Sequence, residues 1–316
     1  MRRLDRILAV VDPTATAQPA VAKAALLARK SSAVLELFVC DFDPALSGRP
    51  FPDTERLRAL RDEFVEDRAE YLENLAEELR VGGLSVETHV HWDNPLHRGI
   101  LRRIEESAPD LVVKDTHYHS VLRRVFLTNP DWNLIRRCPV PLLLAKPGPW
   151  CDRPRFLAAL DPGHLADKPA ALDHDILDFA ALLARTVAGE VHAVHAFFPA
   201  SLLAMTTGFP GMPLGGDVAG DEIVATERRR IEGGLRHITV AHGLPDDHVH
   251  LVQGSAAEVL PDAAATCRAD VVVMGAISRS RLEELFVGST AERVLDRIAS
   301  DVLVVKPAEF VDQMPV

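Results

Sequence analysis

The chain has 316 residues, 47% of them apolar, and a formal net charge of −11. That length holds about two ordinary domains. No apolar run approaches the roughly twenty residues of a membrane span, and the start lacks a secretory apolar segment, so a cytoplasmic protein with no membrane span is expected. Residues 1–150 carry 21 Lys and Arg against 22 Asp and Glu, and the rest 14 against 24. Neither half has the basic field that duplex nucleic acid requires as a partner.

In chain order, the first apolar run is 6–11, closed by Asp12-Pro13, a strand followed by a turn former. A second run covers 34–39. Over 57–80, Leu57, Leu60, Phe64, Leu72, Leu75 and Leu79 recur at helical spacing. Further apolar runs follow at 86–91, 110–114 and 141–145, and Gly148-Pro149-Trp150-Cys151 reads as a turn. The chain then begins again. Residues 156–162 repeat the opening strand, ending on Asp161-Pro162, and 110–147 align without a gap on 270–307 at an offset of 160. The long Pro- and Gly-rich stretch 199–220 argues against a long helix or strand there and reads as a loop. A period this long means duplicated domains, expected at 1–149 and 150–316. Val-, Leu- and Ile-rich runs separated by helices indicate an α/β fold with a parallel sheet covered on both faces.

Near the end stands Val271-Val272-Val273-Met274-Gly275, then Ser278, then Gly288-Ser289-Thr290-Ala291-Glu292. A strand, a glycine at its exit and a helix opened by Gly-Ser-Thr is how an α/β protein presents free N–H groups to a phosphate. The same residues also read as a plain capping box, Ser289-x-x-Glu292. In register, Gly275, Ser278 and Gly288-Ser289 resemble the nucleotide-binding signature of the universal stress protein family, G-x2-G-x9-G-[S/T], with serine at the second glycine. The resemblance implies two tandem five-stranded, Rossmann-like parallel sheets of order 3-2-1-4-5, with the ligand at the strand carboxyl ends between strands 1 and 4. It implies that the halves pair through their last strands. It further implies that Asp161 contacts the base, that backbone near Ala196 meets adenine, and that Met274 and Gly275 lie against the ribose. Ser278, Gly288, Ser289 and Thr290 would surround the phosphates of ATP, with Mg accompanying it.

The first copy departs at the same places: Asp115 for Gly275, Tyr118 for Ser278, and Thr128-Asn129-Pro130 for Gly288-Ser289-Thr290. Asn129 can cap the helix and Pro130 suits its first turn. Each change works against a polyphosphate, so the first half is expected to have a degenerate site. This asymmetry resembles the tandem, E-type members of the family. No Ser/His/Asp order, paired carboxylates or Walker lysine accompanies the glycine motif, and no catalytic residue is expected. The histidine pairs His89-x-His91, His117-x-His119, His248-x-His250 and His192 with His195 invite a metal reading. In the expected strand order the first two pairs lie about 14 Å apart, and no metal is expected. Four cysteines form no CxxC pair. The expected function is a stress-response binding protein that senses ATP or a similar adenine nucleotide through its second half. A binder of a hydrophobic or acyl-bearing ligand through the first half, and a slow ATP hydrolase, stay open as alternatives, as does a homodimer.

Overall fold

A computed structural model describes residues 3–47, 54–119, 124–126, 128–162, 171–199, 217–276, 294–295 and 297–307. The apolar runs of the first half are strands: β1 (Arg6–Val10), β2 (Val34–Asp41), β3 (Val86–Trp92), β4 (Leu111–Asp115) and β7 (Leu142–Ala145). Between the last two, β5 (His117–His119) and β6 (Arg124–Phe126) form a separate antiparallel hairpin. The helices are α1 (Pro19–Ser31), α2 (Glu55–Val81), α3 (Leu96–Ser107) and α4 (Asn129–Arg137). α2 is the element read from leucine spacing over 57–80, opened by Thr54, whose side chain accepts the Leu57 N–H at 3.3 Å. The second half contributes β8 (Arg155–Ala159), α5 (Ala171–Val187), β9 (Glu190–Phe197), α6 (Asp217–Ala241), β10 (Val249–Gln253), α7 (Ala256–Thr266), β11 (Val271–Gly275) and β12 (Asp301–Val305). The end of the stretch read as a loop over 199–220 is already helix, since α6 opens at Asp217; residues 200–216 lie outside the described residues.

Among the described residues, ten long strands join one sheet in the order β10-β9-β8-β11-β12-β7-β4-β1-β2-β3. Within each half the pairings are parallel. Successive side chains of each strand point to opposite faces, so a continuous apolar run supplies both. One face buries Ile7, Ala9, Val113, Leu143, Leu303 and Val273 under α1, α2, α5 and α6. The other buries Leu8, Val112, Leu142, Leu144, Val302 and Val304 under α3, α4 and α7. Both cores run through the boundary between halves without interruption.

That boundary is the antiparallel pair β7–β12, as expected for the two last strands. Its register sets Leu144 opposite Val302, Leu143 opposite Leu303, and Leu142 opposite Val304. With a repeat offset of 160, Leu143 and Leu303 are equivalent residues, so a local two-fold axis passes between them. Two lysines obey the same symmetry. Lys146 Nζ donates to the Ile298 carbonyl, and Lys306 Nζ donates to the Cys138 carbonyl at 2.8 Å. One contact breaks it. Buried Lys23 meets buried Asp301 at 2.7 Å and also donates to the Lys146 carbonyl at 2.6 Å. Asp301 in turn accepts the Lys146 N–H at 2.8 Å and the Trp150 indole N–H at 2.7 Å.

Removing one partner of a buried, fully bonded ion pair leaves an uncompensated charge. Asp301→Ala should therefore lower unfolding free energy by about 3–5 kcal/mol in urea titrations. The exposed pair Arg3–Asp5 provides the contrast; Asp5→Ala should cost under about 1 kcal/mol.

Candidate functional site

The sheet order reverses direction between β8 and β11, so their carboxyl ends open a crevice. Met274 lies opposite Ala159 in the β11–β8 ladder, two residues before Asp161. Ala159 in turn pairs with Val194, and the Leu160 N–H reaches the Val194 carbonyl at 2.9 Å, which carries the ladder toward Ala196. Asp161, Ala196, Met274 and Gly275 thus stand at the exits of three adjacent strands. Ser278, Gly288, Ser289 and Thr290 lie outside the described residues.

The Asp161 backbone is held from two sides. Its N–H donates to the carboxylate of buried Asp173, in the first turn of α5, at 3.1 Å. Buried His195 has Nδ1 at 2.8 Å from the Leu160 carbonyl. A carbonyl only accepts, so Nδ1 carries the proton, and Nε2 of a neutral ring is left an acceptor. The Asp161 carboxylate lies 3.9 Å from the same nitrogen and keeps 42% exposure, so it faces the crevice. Met274 is buried in the core, which leaves mainly its backbone for a ligand. A β-carbon on Gly275 would stand 2.6 Å from Leu172 Cδ2 and 3.4 Å from Ile176 Cδ1. The glycine therefore admits α5 close to the strand exit. Sequence reasoning passed over Asp173 and took His195 only as a candidate metal ligand, because nothing local shows that a helix residue and a strand residue will brace one turn.

The first half fills the equivalent space with its own groups. Asp115, at the place of Gly275, accepts the Ala20 N–H in the first turn of α1 at 2.5 Å. Large and small residues have changed places: Leu172 and Ile176 lie against Gly275 in one half, and Ala20, the counterpart of Ile176, against Asp115 in the other. Burial pushes the Asp115 carboxyl up to about 6, against the pull of the Ala20 N–H, Lys114 and Lys23.

At the start of α4 the cap is Thr128, not Asn129, and it works with Asp131. The Thr128 N–H and hydroxyl both donate to Asp131 Oδ2 at 2.8 Å. Asp131 is wholly buried, and Lys114 Nζ meets its other oxygen at 2.7 Å. The N-terminus of this helix thus holds an internal anion with its own counter-cation. At the repeat offset, Lys114 corresponds to Met274 and Asp131 to Ala291, so the second half has neither charge. The Thr128-x-x-Asp131 spacing was a readable capping signal; the burial of its carboxylate against Lys114 was not.

The model of the universal stress protein family matches residues 3–146 and 165–306. Universal stress protein E of Escherichia coli strain K12 is 27% identical over 319 residues, spanning 100% of this chain and 98% of that protein. Among solved structures, a functionally unknown protein from Pseudomonas aeruginosa PAO1 has a TM-score of 0.73 at 26% identity, covering 98% of this chain and 95% of that one. A universal stress protein from Archaeoglobus fulgidus DSM 4304 shares the fold, with a TM-score of 0.65 at 18% identity over 95% of this chain and 98% of its own. Among the described residues, no helix is long and apolar enough to cross a membrane.

Asp131→Ala alone strands Lys114 and should cost about 3 kcal/mol in urea unfolding. Adding Lys114→Met installs the second-half pair, and the double variant should recover a kcal/mol or more of that loss, about the coupling of residues in contact. Asp115 gives a pH effect of opposite sense to a salt-bridged carboxylate. Its folded value lies above the unfolded one, so its contribution to stability is present below about 4 and lost as pH rises through about 6. Asp115→Asn should melt higher than the parent at pH 8, by up to about 3 kcal/mol, with the difference shrinking toward pH 4. Thermal melts across that range check it.

Proposed function

Because this chain belongs to the universal stress protein family, we propose that it is a stress-response protein binding one adenine nucleotide, ATP with Mg, in the crevice of its second half, 150–316. The first half, 1–149, holds no nucleotide and serves as the fixed partner of the seam. The observation that carries this reading is the internal anion of the first half. Where a phosphate would meet the start of α4, Asp131 is already buried against Thr128 and Lys114. The second half has Met274 and Ala291 at those positions and Gly288-Ser289-Thr290 before them, so neither the buried carboxylate nor its lysine is repeated there, which favours a phosphate from outside.

Asp161, at the facing strand exit and 42% exposed, would accept from the base or ribose. Ala196 and Met274 would offer backbone to the adenosine, and Ser278, Gly288, Ser289 and Thr290 N–H and hydroxyl groups to the phosphates. Such a set binds and positions. It places no general base against a water, which favours a sensor over a fast hydrolase. A hydrophobic ligand in the first half is the second reading, and the packed Lys114–Asp131 pair leaves it less room where the crevice meets α4.

Calorimetry of the full chain with ATP and Mg should give one site. A carboxylate beside the phosphates should lower affinity by about a hundredfold or more. Gly288→Asp is accordingly expected to abolish binding without unfolding the protein, whereas Asn129→Ala should leave affinity unchanged. Two sites per chain, or none at millimolar ATP, would overturn the proposal.

A further inference from the structure

At the far edge of the second half, three side chains from three elements converge away from the crevice. His192 on β9 and His250 on β10 share a sheet face, because the ladder sets Val249 opposite Ala193 and so His248 opposite His192. Cys267 follows the last residue of α7, which covers that face, and its carbonyl is held by Arg155 Nη1 at 2.9 Å. His192 Nδ1 lies 3.4 Å from His250 Nε2, and the Cys267 sulfur 3.7 Å from the same nitrogen. Their ligand atoms all lie within 4.8 Å of one another.

A nitrogen–nitrogen separation of 3.4 Å is long for a hydrogen bond. Both separations instead match the edges of a tetrahedron around zinc. Bonds of about 2.05 Å to nitrogen and 2.3 Å to sulfur put two nitrogens about 3.3 Å apart, and nitrogen and sulfur about 3.6 Å apart. The outer environment agrees. Beyond the far nitrogen of His192, Nε2, stands Glu190 Oε2 at 3.8 Å, with Glu190 anchored by Arg153 at 3.0 Å. Nε2 itself is buried without a hydrogen bond. A carboxylate behind a ligating histidine is the usual outer support of a metal site. The His248 ring stacks on His192 at 4.0 Å and bonds the Val191 carbonyl through Nδ1 at 2.9 Å, which keeps the His192 ring in place. His250 and Cys267 also line a groove of about 330 Å3 with Glu258 and Asp262 on its wall, from which water or a carboxylate can supply a fourth ligand.

We propose that His192 Nδ1, His250 Nε2 and the Cys267 thiolate bind one divalent ion of the zinc class, stapling β9 and β10 to the end of α7. Two imidazoles and a thiolate select such an ion over magnesium or calcium. The His192–His195 pair considered from sequence cannot share an ion, since residues three apart on a strand face opposite ways, and His195 is committed to Leu160. A second trio, Glu36, Glu87 and His89, is already taken up by arginines: Arg6 holds both carboxylates, and Arg103 also holds Glu36.

The test is a cobalt(II) titration of the full chain after chelator treatment and dialysis, followed by absorption spectroscopy. One cobalt per chain is expected, with the visible bands of a tetrahedral ion and a near-ultraviolet sulfur-to-cobalt charge-transfer band, both bleached by one equivalent of zinc. Cys267→Ser should abolish the charge-transfer band and Cys151→Ser should keep it. His192→Ala and His250→Ala should each weaken binding by tenfold or more, with circular dichroism confirming that the metal-free variants are folded. The wild-type spectrum decides the matter even if a variant fails to fold. Absence of a charge-transfer band at stoichiometric cobalt, or its survival in Cys267→Ser, overturns the site.

Discussion

A parallel sheet that ends on Leu142-Leu143-Leu144-Ala145, or on Val302-Leu303-Val304-Val305, cannot leave that edge in water. Joining the two edges antiparallel satisfies their backbone groups and makes both cores continuous through the boundary. The position of every other element follows from that union. The local two-fold between Leu143 and Leu303 brings each terminal lysine onto the other half's helix end. The Lys23–Asp301 pair then fixes α1 against the seam from one side only. A buried pair of this kind adds little net energy over apolar packing, but it penalises any slipped register of the two edge strands, which would strand both charges.

The two halves use one architecture with different charges at positions that the repeat makes equivalent. In the first, the carboxylate that neutralises the helix dipole is part of the chain, buried and paired with Lys114. In the second, the corresponding residues are Met274 and Ala291, so neither member of that buried pair is repeated. The exchange of Asp115 with Ala20 for Gly275 with Ile176 shows that the surrounding packing accommodates either solution.

Much of this fold was legible in the chain. Continuous apolar runs marked the strands, because strands covered on both faces need no polar alternation. The offset of 160 also carried the equivalence of Leu143 with Leu303, hence the axis. What the sequence hid were contacts between distant residues. Lys23 and Asp301 are 278 positions apart and neither stands out locally. Asn129 looked like the cap because its side chain suits one, yet Thr128 takes the place, since only from there does Asp131 fall three residues inside the helix. Gly275 read as an approach point for a phosphate, and the structure adds a neighbour, α5, that needs the same missing side chain. The grouping of His192, His250 and Cys267 depends on the β9–β10 register and on where α7 ends, which no local pattern encodes.

The antiparallel seam has one further geometric consequence. Because each half is parallel within itself and reversed relative to the other, the carboxyl ends of its strands lie along opposite borders of the ten-stranded sheet. The crevice at Asp161 and its counterpart at Asp12 therefore open toward opposite poles of the molecule. A small ligand held at one therefore does not reach the other. The path through the chain that joins them runs along the strands and crosses the seam at the Leu143–Leu303 pair.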